Sequence, residues 1–497
     1  MSEQVAFGLV VLVVAAVGAA AVLSSRVSER LRVPAPAIFL VGAAAASDLV
    51  PRLGRVSTLT IEEVVTLALA VILFDGGMRI GWRRFRTVAA ATVWLGVVGT
   101  LATAGAVAGL AHATFGLAWH QALLLGTALA PTDPAVVFSV LGRREVTGRT
   151  GVLLEGESGA NDPVGIALLI GLLAATPGTS VGPAVQVVAG FVVQMAVGLV
   201  VGVAMGWILL ASMRRIPLPS ESLYPLRVLF GALGIYGLAT VAHGSGFLAV
   251  LVAGIVIGDE RAPHKGDIER FHSALASLAE IIAFALLGLS VDLHSVVTGD
   301  SLRIGLGLAI ALTFVVRPVV AGLLLVPVRL RAGEKLFVMW TGLKGAVPIL
   351  LGVLILRAHA TGSARLYEVI FVVVLFSVVV QGGLMPTLAR WLKVPLRTVE
   401  PEPWSLGVRF RQEPEGLHRF RIAKGAPADG VSLADLDVGE DCWVSLVIRA
   451  GRLVPVRADT QLQAGDEVVV LADPDAGGLL RPVFAERNPA PRPETRP

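Results

Sequence analysis

Residues 155–164 read EGESGANDPV: three carboxylates (Glu155, Glu157, Asp162), a hydroxyl (Ser158) and an amide (Asn161) inside a stretch otherwise built of Ala, Val, Leu and Gly. An ionised side chain deep in an apolar helix costs roughly 2.5 to 3.5 kcal/mol, so it is kept there with a partner or a task. On a helix, Ser158 and Asp162 are four residues apart and share a face, as do Glu157 and Asn161. Ser158 and Asp162 then offer oxygen to a cation. Glu157, turned by about 100° from Ser158, is free to meet a base on a neighbouring helix, while Glu155 is expected near the inner mouth.

The same cost argument singles out Asp75, Asp133, Glu280, Arg317 and Lys344, each inside an apolar run. Asp133 stands between Pro131 and Pro134 in ALAPTDPAVVFSVL, and Lys344 stands in WTGLKGAVPILLG between Gly342, Gly345 and Pro348. Proline has no amide donor and clashes with the preceding turn, so both helices are expected to break. A break at Asp133 frees main-chain carbonyls such as that of Thr132. Carboxylates, a hydroxyl and carbonyls are the oxygen set of a hard cation, here an alkali ion held by Asp162, Asp133 and Ser158, and His or Cys metal ligation is absent from the pattern.

Burial disfavours the ionised form of Asp162 and a bound cation favours it, so the carboxylate holds a proton or a metal ion but not both. A site open to one side at a time turns that competition into exchange. Asn161, being neutral, leaves one titrating charge per cycle, from which one-for-one, electroneutral exchange is expected.

The elements that position these residues are read from composition. Apolar residues make up 55% of the 497 and charged ones 16%, against about 25% charged in soluble domains; mean hydropathy is +0.77. Apolar runs long enough to cross a bilayer recur about thirteen times, among them residues 5–23 and 304–328. A pI near 9.6 points to topology here and not to nucleic acid. With an external N-terminus, Arg26, Arg30 and Arg32, Arg79 to Arg86, Arg143 to Arg149, Arg214 and Arg215, Arg261 to Arg270, Arg329 to Lys335 and Arg390 to Arg397 all face inward. Arg52, Arg55, Arg303, Arg357 and Arg365 face outward. That asymmetry predicts a multi-pass protein of the inner (plasma) membrane with its C-terminus in the cytoplasm. No Lys or Arg precedes Arg26, so the first run reads as an uncleaved helix. Cys442 is the sole cysteine, which excludes an intrachain disulfide.

The expected organisation is a transmembrane domain at 1–395, a charged, Pro-rich linker at 396–404, a small cytosolic α+β domain at 405–486 and a disordered tail at 487–497. In the third, WVSLVIR and EVVVLAD read as strands set off by turn-forming AGR and AGD. The fold class is an all-α polytopic membrane protein of about thirteen transmembrane helices. Its two broken helices fall at corresponding places in two halves, as in the inverted repeats whose paired breaks mark a transporter's midplane site.

The motifs LFDGGM (73–78), TDPAVV (132–137), ESGANDP (157–163), LASLAEIIAFALLGL (275–289), RPV (317–319) and GLKGAVP (342–348) resemble, in order and spacing, the NhaP-like branch of the monovalent cation:proton antiporters (CPA1-type). The resemblance spans residues 5–393. It implies that Asp162 carries cation and proton, that Asp133 and the Thr132 carbonyl lie at the crossing of the breaks, and that Ser158 is a direct ligand. It adds Asp75, where relatives often have Glu, to the cation- and proton-binding residues, makes Glu157 and Arg317 a structural ion pair, puts Lys344 where many relatives have Arg, and leaves Asn161 and Lys344 as supporting residues of the site. It also implies a homodimer, with no cofactor beyond the transported ions and no enzymatic reaction. Residues 431–473 are similar to a TrkA-C (RCK_C) domain, the regulatory module of potassium transport proteins. That company implies exchange of K+ for H+, with Na+ as the alternative ion, and a small-molecule or nucleotide ligand at the tail.

Two other classes fit parts of the chain. Gly156-Glu157-Ser158-Gly159 matches the Gly-x-Ser-Gly pattern of rhomboid-like intramembrane serine proteases, with His243 as a base for Ser158. That reading leaves Asp162, Asp133 and both breaks without a purpose. A potassium channel would need a TVGYG-like filter, which the sequence lacks. His243 and His272 are expected at span boundaries, and Glu280 as a helix-facing polar contact or, alternatively, a water-path residue.

Overall fold

A computed structural model of the chain describes residues 35–49, 56–133, 137, 144–146, 148–174, 183–398, 416–436, 438, 442–449, 452–472 and 477–485. The first apolar run, residues 399–404 of the expected linker and the tail from 487 lie outside the described residues. The chain divides into two compact units, 1–401 and 402–497.

The first unit opens with α1 (Ala35–Leu49) and α2 (Thr58–Val93), the latter continued by a π-helical segment, Trp94–Gly99, into α3 (Thr100–Phe115). Ser57 starts α2 by accepting a hydrogen bond from the Thr60 amide at 3.0 Å, filling one of the donors left open at a helix start. Within α2 the helix kinks at Gly81 (φ 63°, ψ 160°), and beyond it the Arg83 amide donates to Asp259 Oδ2. Then come α4 (Trp119–Leu129), a short strand β1 (Arg144–Val146), α5 (Gly148–Ala174), α6 (Pro183–Arg215), α7 (Leu223–Val241), α8 (Gly246–Gly258) and α9 (Lys265–Leu289). A short α10 (Leu293–Thr298) leads to α11 (Ser301–Ala311), which a second π-helical segment, Leu312–Val316, joins to α12 (Arg317–Leu324). After α13 (Ala332–Trp340), α14 (Ala346–Arg357) and α15 (Ser363–Phe376), a third π segment, Ser377–Gly382, leads into α16 (Gly383–Trp391) and strand β2 (Leu396–Thr398).

Among the described residues, six helical stretches are long and apolar enough to cross a membrane, such as Ala184–Arg215 and Lys265–Leu289. The helices α4 and α14 have 11 and 12 residues, which at 1.5 Å per residue is about half a bilayer. They are the halves expected of broken spans. The outer face of α6 leaves Val188, Val192, Val200, Trp207 and Ile208 exposed, an apolar surface suited to lipid. Inside, α2 and α8 pack so closely that a Cβ on Gly254 would strike the Phe74 carbonyl, the approach that small residues allow between membrane helices.

The all-α expectation holds for the spans, with one addition. Strands β1 and β2 form an antiparallel ribbon that pairs Arg144 with Thr398, Glu145 with Arg397 and Val146 with Leu396. The beginning of the stretch read as linker is therefore a strand.

The second unit contains β3 (Leu417–Arg421), β4 (Trp443–Arg449), β5 (Arg452–Val454), β6 (Glu467–Leu471) and α17 (Gly477–Phe484). Its antiparallel sheet runs in the order β3-β6-β4-β5, with a register shift between Val444 and Leu446. The two runs read as strands from sequence are its central pair, β4 and β6. Val447, Val468 and Val470 bury their side chains against Leu480 and Phe484 of α17. Arg449 grips the buried Asp466 with two hydrogen bonds, Nε to Oδ1 at 2.9 Å and Nη2 to Oδ2 at 2.8 Å, a fork that fixes the edge of this small core.

Candidate cation site

The helix α5 runs unbroken through the polar stretch, with Pro163 inside it. Proline has no amide to donate, so the Gly159 carbonyl one turn back lacks its usual helical partner. Both stripes expected on α5 point inward: Glu157, Ser158, Asn161 and Asp162 are all 2 to 6% exposed.

The stripe of Glu157 and Asn161 is tied to other elements. Glu157 Oε1 meets Arg317 Nη1 at 2.6 Å. Arg317 sits where the second π segment ends. Its remaining contacts are few: Nη2 reaches the Val338 carbonyl at 3.4 Å, and Nε has no partner. Asn161 clasps Thr132, donating from Nδ2 to Oγ1 at 2.7 Å and accepting from the Thr132 amide at 3.3 Å.

The two breaks meet. After α4 the chain is non-helical through Asp133, and between α13 and α14 it is non-helical from Thr341 to Gly345. The Asp133 amide donates to the Leu343 carbonyl at 2.8 Å. Lys344, 1% exposed, donates from Nζ to the Ala130 and Pro131 carbonyls at 3.0 and 2.9 Å. An ammonium at the C-terminal end of α4 satisfies carbonyls that the break leaves open and complements the negative end of the helix dipole. Glycine at 345 is required by contact, since any Cβ there would run into the Asp133 carboxylate.

Asp162, on the other stripe, is buried and its Oδ1 has no hydrogen-bond partner. The charges acting on it are those of Asp133 and Lys344, and Lys344 in turn feels Arg317, Glu157 and Asp162. Fully ionised, the three acids Glu157, Asp162 and Asp133 and the two bases Arg317 and Lys344 sum to one negative charge. One monovalent cation or one proton neutralises that cluster. A buried carboxylate oxygen with nothing to accept from is costly, by about 1 to 3 kcal/mol or more for a charged group, and either occupant would relieve it.

Asp75 stands apart from this cluster. It is 5% exposed and pairs with Arg79 one turn on, Oδ2 to Nε at 2.8 Å; the charges acting on it are Arg79 and Glu269. Arg79 also reaches Ser273 Oγ on α9 at 2.8 Å. Glu280, on α9, has a buried Oε1 without a hydrogen-bond partner. His272 is fully buried against Phe74, with Nδ1 2.9 Å from the Ile268 carbonyl, a core position and not a boundary one. His243 is exposed, at a turn with φ 57°, whereas Ser158 is buried, so the base a serine nucleophile requires is not beside it.

The sequence reading missed a polar cluster behind the second break. Gln381 donates from Nε2 to the Trp340 carbonyl at 2.5 Å, and its Oε1 accepts from Ser377 Oγ at 2.9 Å. Ser377 accepts from the Lys344 amide at 3.0 Å. The signal was a lone glutamine in FSVVVQGG, costly in lipid for the same reason as a buried acid. The three π-helical segments among the described residues border the site: the first brings Gly96 against Ala160, the second ends at Arg317 and the third holds Ser377 and Gln381. Such segments widen a helix by one residue per turn and recur where side chains must be re-aimed.

The transmembrane sodium/hydrogen exchanger family matches residues 12–391, and the TrkA-C domain matches residues 417–485. The K(+)/H(+) antiporter NhaP of Alkalimonas amylolytica is 33% identical, the match covering 97% of this chain and 85% of that protein. The K(+)/H(+) antiporter NhaP2 of Shewanella sp. (strain ANA-3) is 32% identical over 96% and 83%. The Na(+)/H(+) antiporter ApNhaP of Aphanothece halophytica is 26% identical over 68% of this chain. The solved structure of the sodium proton antiporter MjNhaP1 from Methanocaldococcus jannaschii superposes with a TM-score of 0.65 at 23% identity, covering 77% of this chain and 99% of that one. At that identity the likeness is one of fold.

Proposed function

The chain belongs to the sodium/hydrogen exchanger family, and from that premise we propose that it exchanges cytoplasmic K+ for external H+, one for one, by competition at Asp162. The observation that carries the reading is the buried Asp162 oxygen that no donor meets, beside Asp133 at the crossing of the two breaks. A proton or an alkali ion fills that position, and the single negative charge of the cluster supports one of either per cycle. Ser158 and the Thr132 carbonyl complete an oxygen set suited to a hard ion, while Asn161 holds Thr132 in place. Glu157 with Arg317, and Lys344 with the α4 carbonyls, brace the site without occupying it. Asp75, held by Arg79, is a route residue at most in this arrangement.

Potassium is chosen over sodium because the relatives matching nearly the whole chain are named K(+)/H(+) antiporters. The charge asymmetry of the connections supports about thirteen spans, an external N-terminus and a cytoplasmic tail in the plasma membrane. In this reading residues 1–395 transport and 405–486 regulate, binding a small molecule or nucleotide, and two copies associate in the bilayer. In the cycle, an outward-facing site trades its potassium for a proton, the broken helices carry the protonated site across, and the reverse trade occurs inside.

The test is dye-reported pH change in everted vesicles on adding K+, Na+ or Li+ with the membrane potential clamped. Potassium is expected to move protons without sensitivity to the clamp, and Asp162→Asn to abolish the response. Wild-type rates in Asp162→Asn would remove Asp162 as the carrier, and a response to sodium alone would reassign the ion.

A further inference from the structure

The ribbon between β1 and β2 has no part in binding ions, yet its two strands come from informative places. Strand β1 lies in the connection from the first break, where Asp133 ends the described stretch, to α5, which carries Asp162. Strand β2 follows α16 and is the last described element before the chain goes on to the TrkA-C unit. The antiparallel pairing of Arg144, Glu145 and Val146 with Thr398, Arg397 and Leu396 therefore joins the tether of the second unit to the connection between the two acids.

The surroundings of the ribbon extend the link to the other break. The Val146 carbonyl abuts Gly151 in the first turn of α5. In that turn Thr150 Oγ1 donates to Glu334 Oε1 at 3.1 Å, and Glu334 Oε2 accepts from the Arg331 amide at 2.8 Å, capping α13. Helix α13 leads directly into the second break. On the same helix, a Cβ on Gly333 would meet the Leu392 carbonyl at 2.5 Å, in the turn that connects α16 to β2. The first turns of α5 and α13, and the chain running from α16 into the tether, thus converge at one spot.

We propose that this ribbon is the clasp through which the C-terminal unit sets the transport rate, its pairing restraining the connection between Asp133 and Asp162. An isolated two-stranded pairing is marginally stable, so a modest pull or push along the tether is enough to open or hold it, as a bistable coupling element requires. The proposal rests on the reading of the chain as an antiporter with a regulatory tail, and its test separates the two.

Exchange is measured in vesicles for four full-membrane-unit proteins: wild type, a chain ending at 404, Arg397→Pro, and Arg397→Pro ending at 404. Proline supplies no amide to a strand pairing. Removing the tail is expected to change the wild-type rate by about fivefold or more, the size of an ordinary allosteric coupling. Arg397→Pro alone is expected to give the same change, and truncation to add nothing further to it. If truncation still changes the rate by its full factor in the Arg397→Pro background, the clasp does not carry the signal and the proposal fails. If truncation changes nothing in wild type, the tail does not set the rate and the proposal also fails, while exchange itself stands; absence of exchange in wild type would instead sink the antiporter reading.

Because a proline variant is open to misfolding, a second pair of substitutions checks the contact itself. Glu145→Cys with Arg397→Cys, in a Cys442→Ser chain, places two thiols at paired positions, whose Cα separation of about 4.5 to 5.5 Å falls in the range a disulfide spans. Mild oxidation is expected to link them, and the oxidised protein to lose its dependence on the tail until a reductant restores it. Failure to link, or a linked protein that still responds to truncation, overturns the proposal.

Discussion

Replacing Glu157 by Gln should cost this protein both its stability and its grip on the cation, and replacing Arg317 as well should restore much of each. The pair is 2.6 Å apart with both residues under 10% exposed. At an effective dielectric of about 20, two unit charges at that distance attract by about 6 kcal/mol, a gain offset by several kcal/mol of desolvation for each ion. The intact pair is thus near break-even, but a broken one is not. In Glu157→Gln the guanidinium keeps only neutral acceptors, the new amide oxygen and the distant Val338 carbonyl, and an uncompensated buried charge costs about 3 to 5 kcal/mol. That corresponds to a fall in the thermal midpoint on the order of 10 °C. The same substitution takes the charge sum of the cluster from one negative to zero, so a cation gains less on entering, and the potassium concentration for half-maximal exchange should rise. Arg317→Gln moves the sum the other way, to two negatives. The double variant Glu157→Gln/Arg317→Gln returns it to one and leaves no unpaired ion. Thermal melts of detergent-purified protein and exchange in vesicles are measured for all four members of the cycle. Were Glu157→Gln to melt within about 2 °C of wild type, or the double variant to lose as much as the two singles combined, the reasoning from buried charge would be wrong.

Three further outcomes are expected. Gly345→Ala forces a methyl group into the Asp133 carboxylate, an overpacking of about 1 to 3 kcal/mol, and should lower exchange by about tenfold. Gly109→Ala, which meets nothing within 4 Å, should behave as wild type in the same assay. A chain ending at 404 should still fold and transport, with altered control, as judged by gel filtration in detergent and vesicle exchange; loss of folding would show that the second unit is part of the transporter's core.

The sequence by itself determined which ionisable groups the chain commits to its interior. Acids, a hydroxyl and an amide at helical spacing in a lipid-soluble run have few physical reasons to exist. The cost of each buried charge made Asp162, Asp133, Glu157, Arg317 and Lys344 legible one at a time. Pro131, Pro134 and the Gly342–Gly345 stretch foretold the breaks because proline and glycine act on the local backbone. The strands Trp443–Arg449 and Glu467–Leu471 were readable for the same local reason.

What only the tertiary structure decided is which of these groups meet. That Lys344 serves the carbonyls of α4 and that the Asp133 amide bonds across to Leu343 are pairings between residues far apart along the chain. No local propensity encodes them. Gln381 and the β1–β2 ribbon escaped the sequence reading because Trp340, which Gln381 bonds, and the strand at 396–398, which pairs with β1, become neighbours only when the helices pack. A helix period tells which side of a span a residue occupies, and packing alone tells what stands opposite.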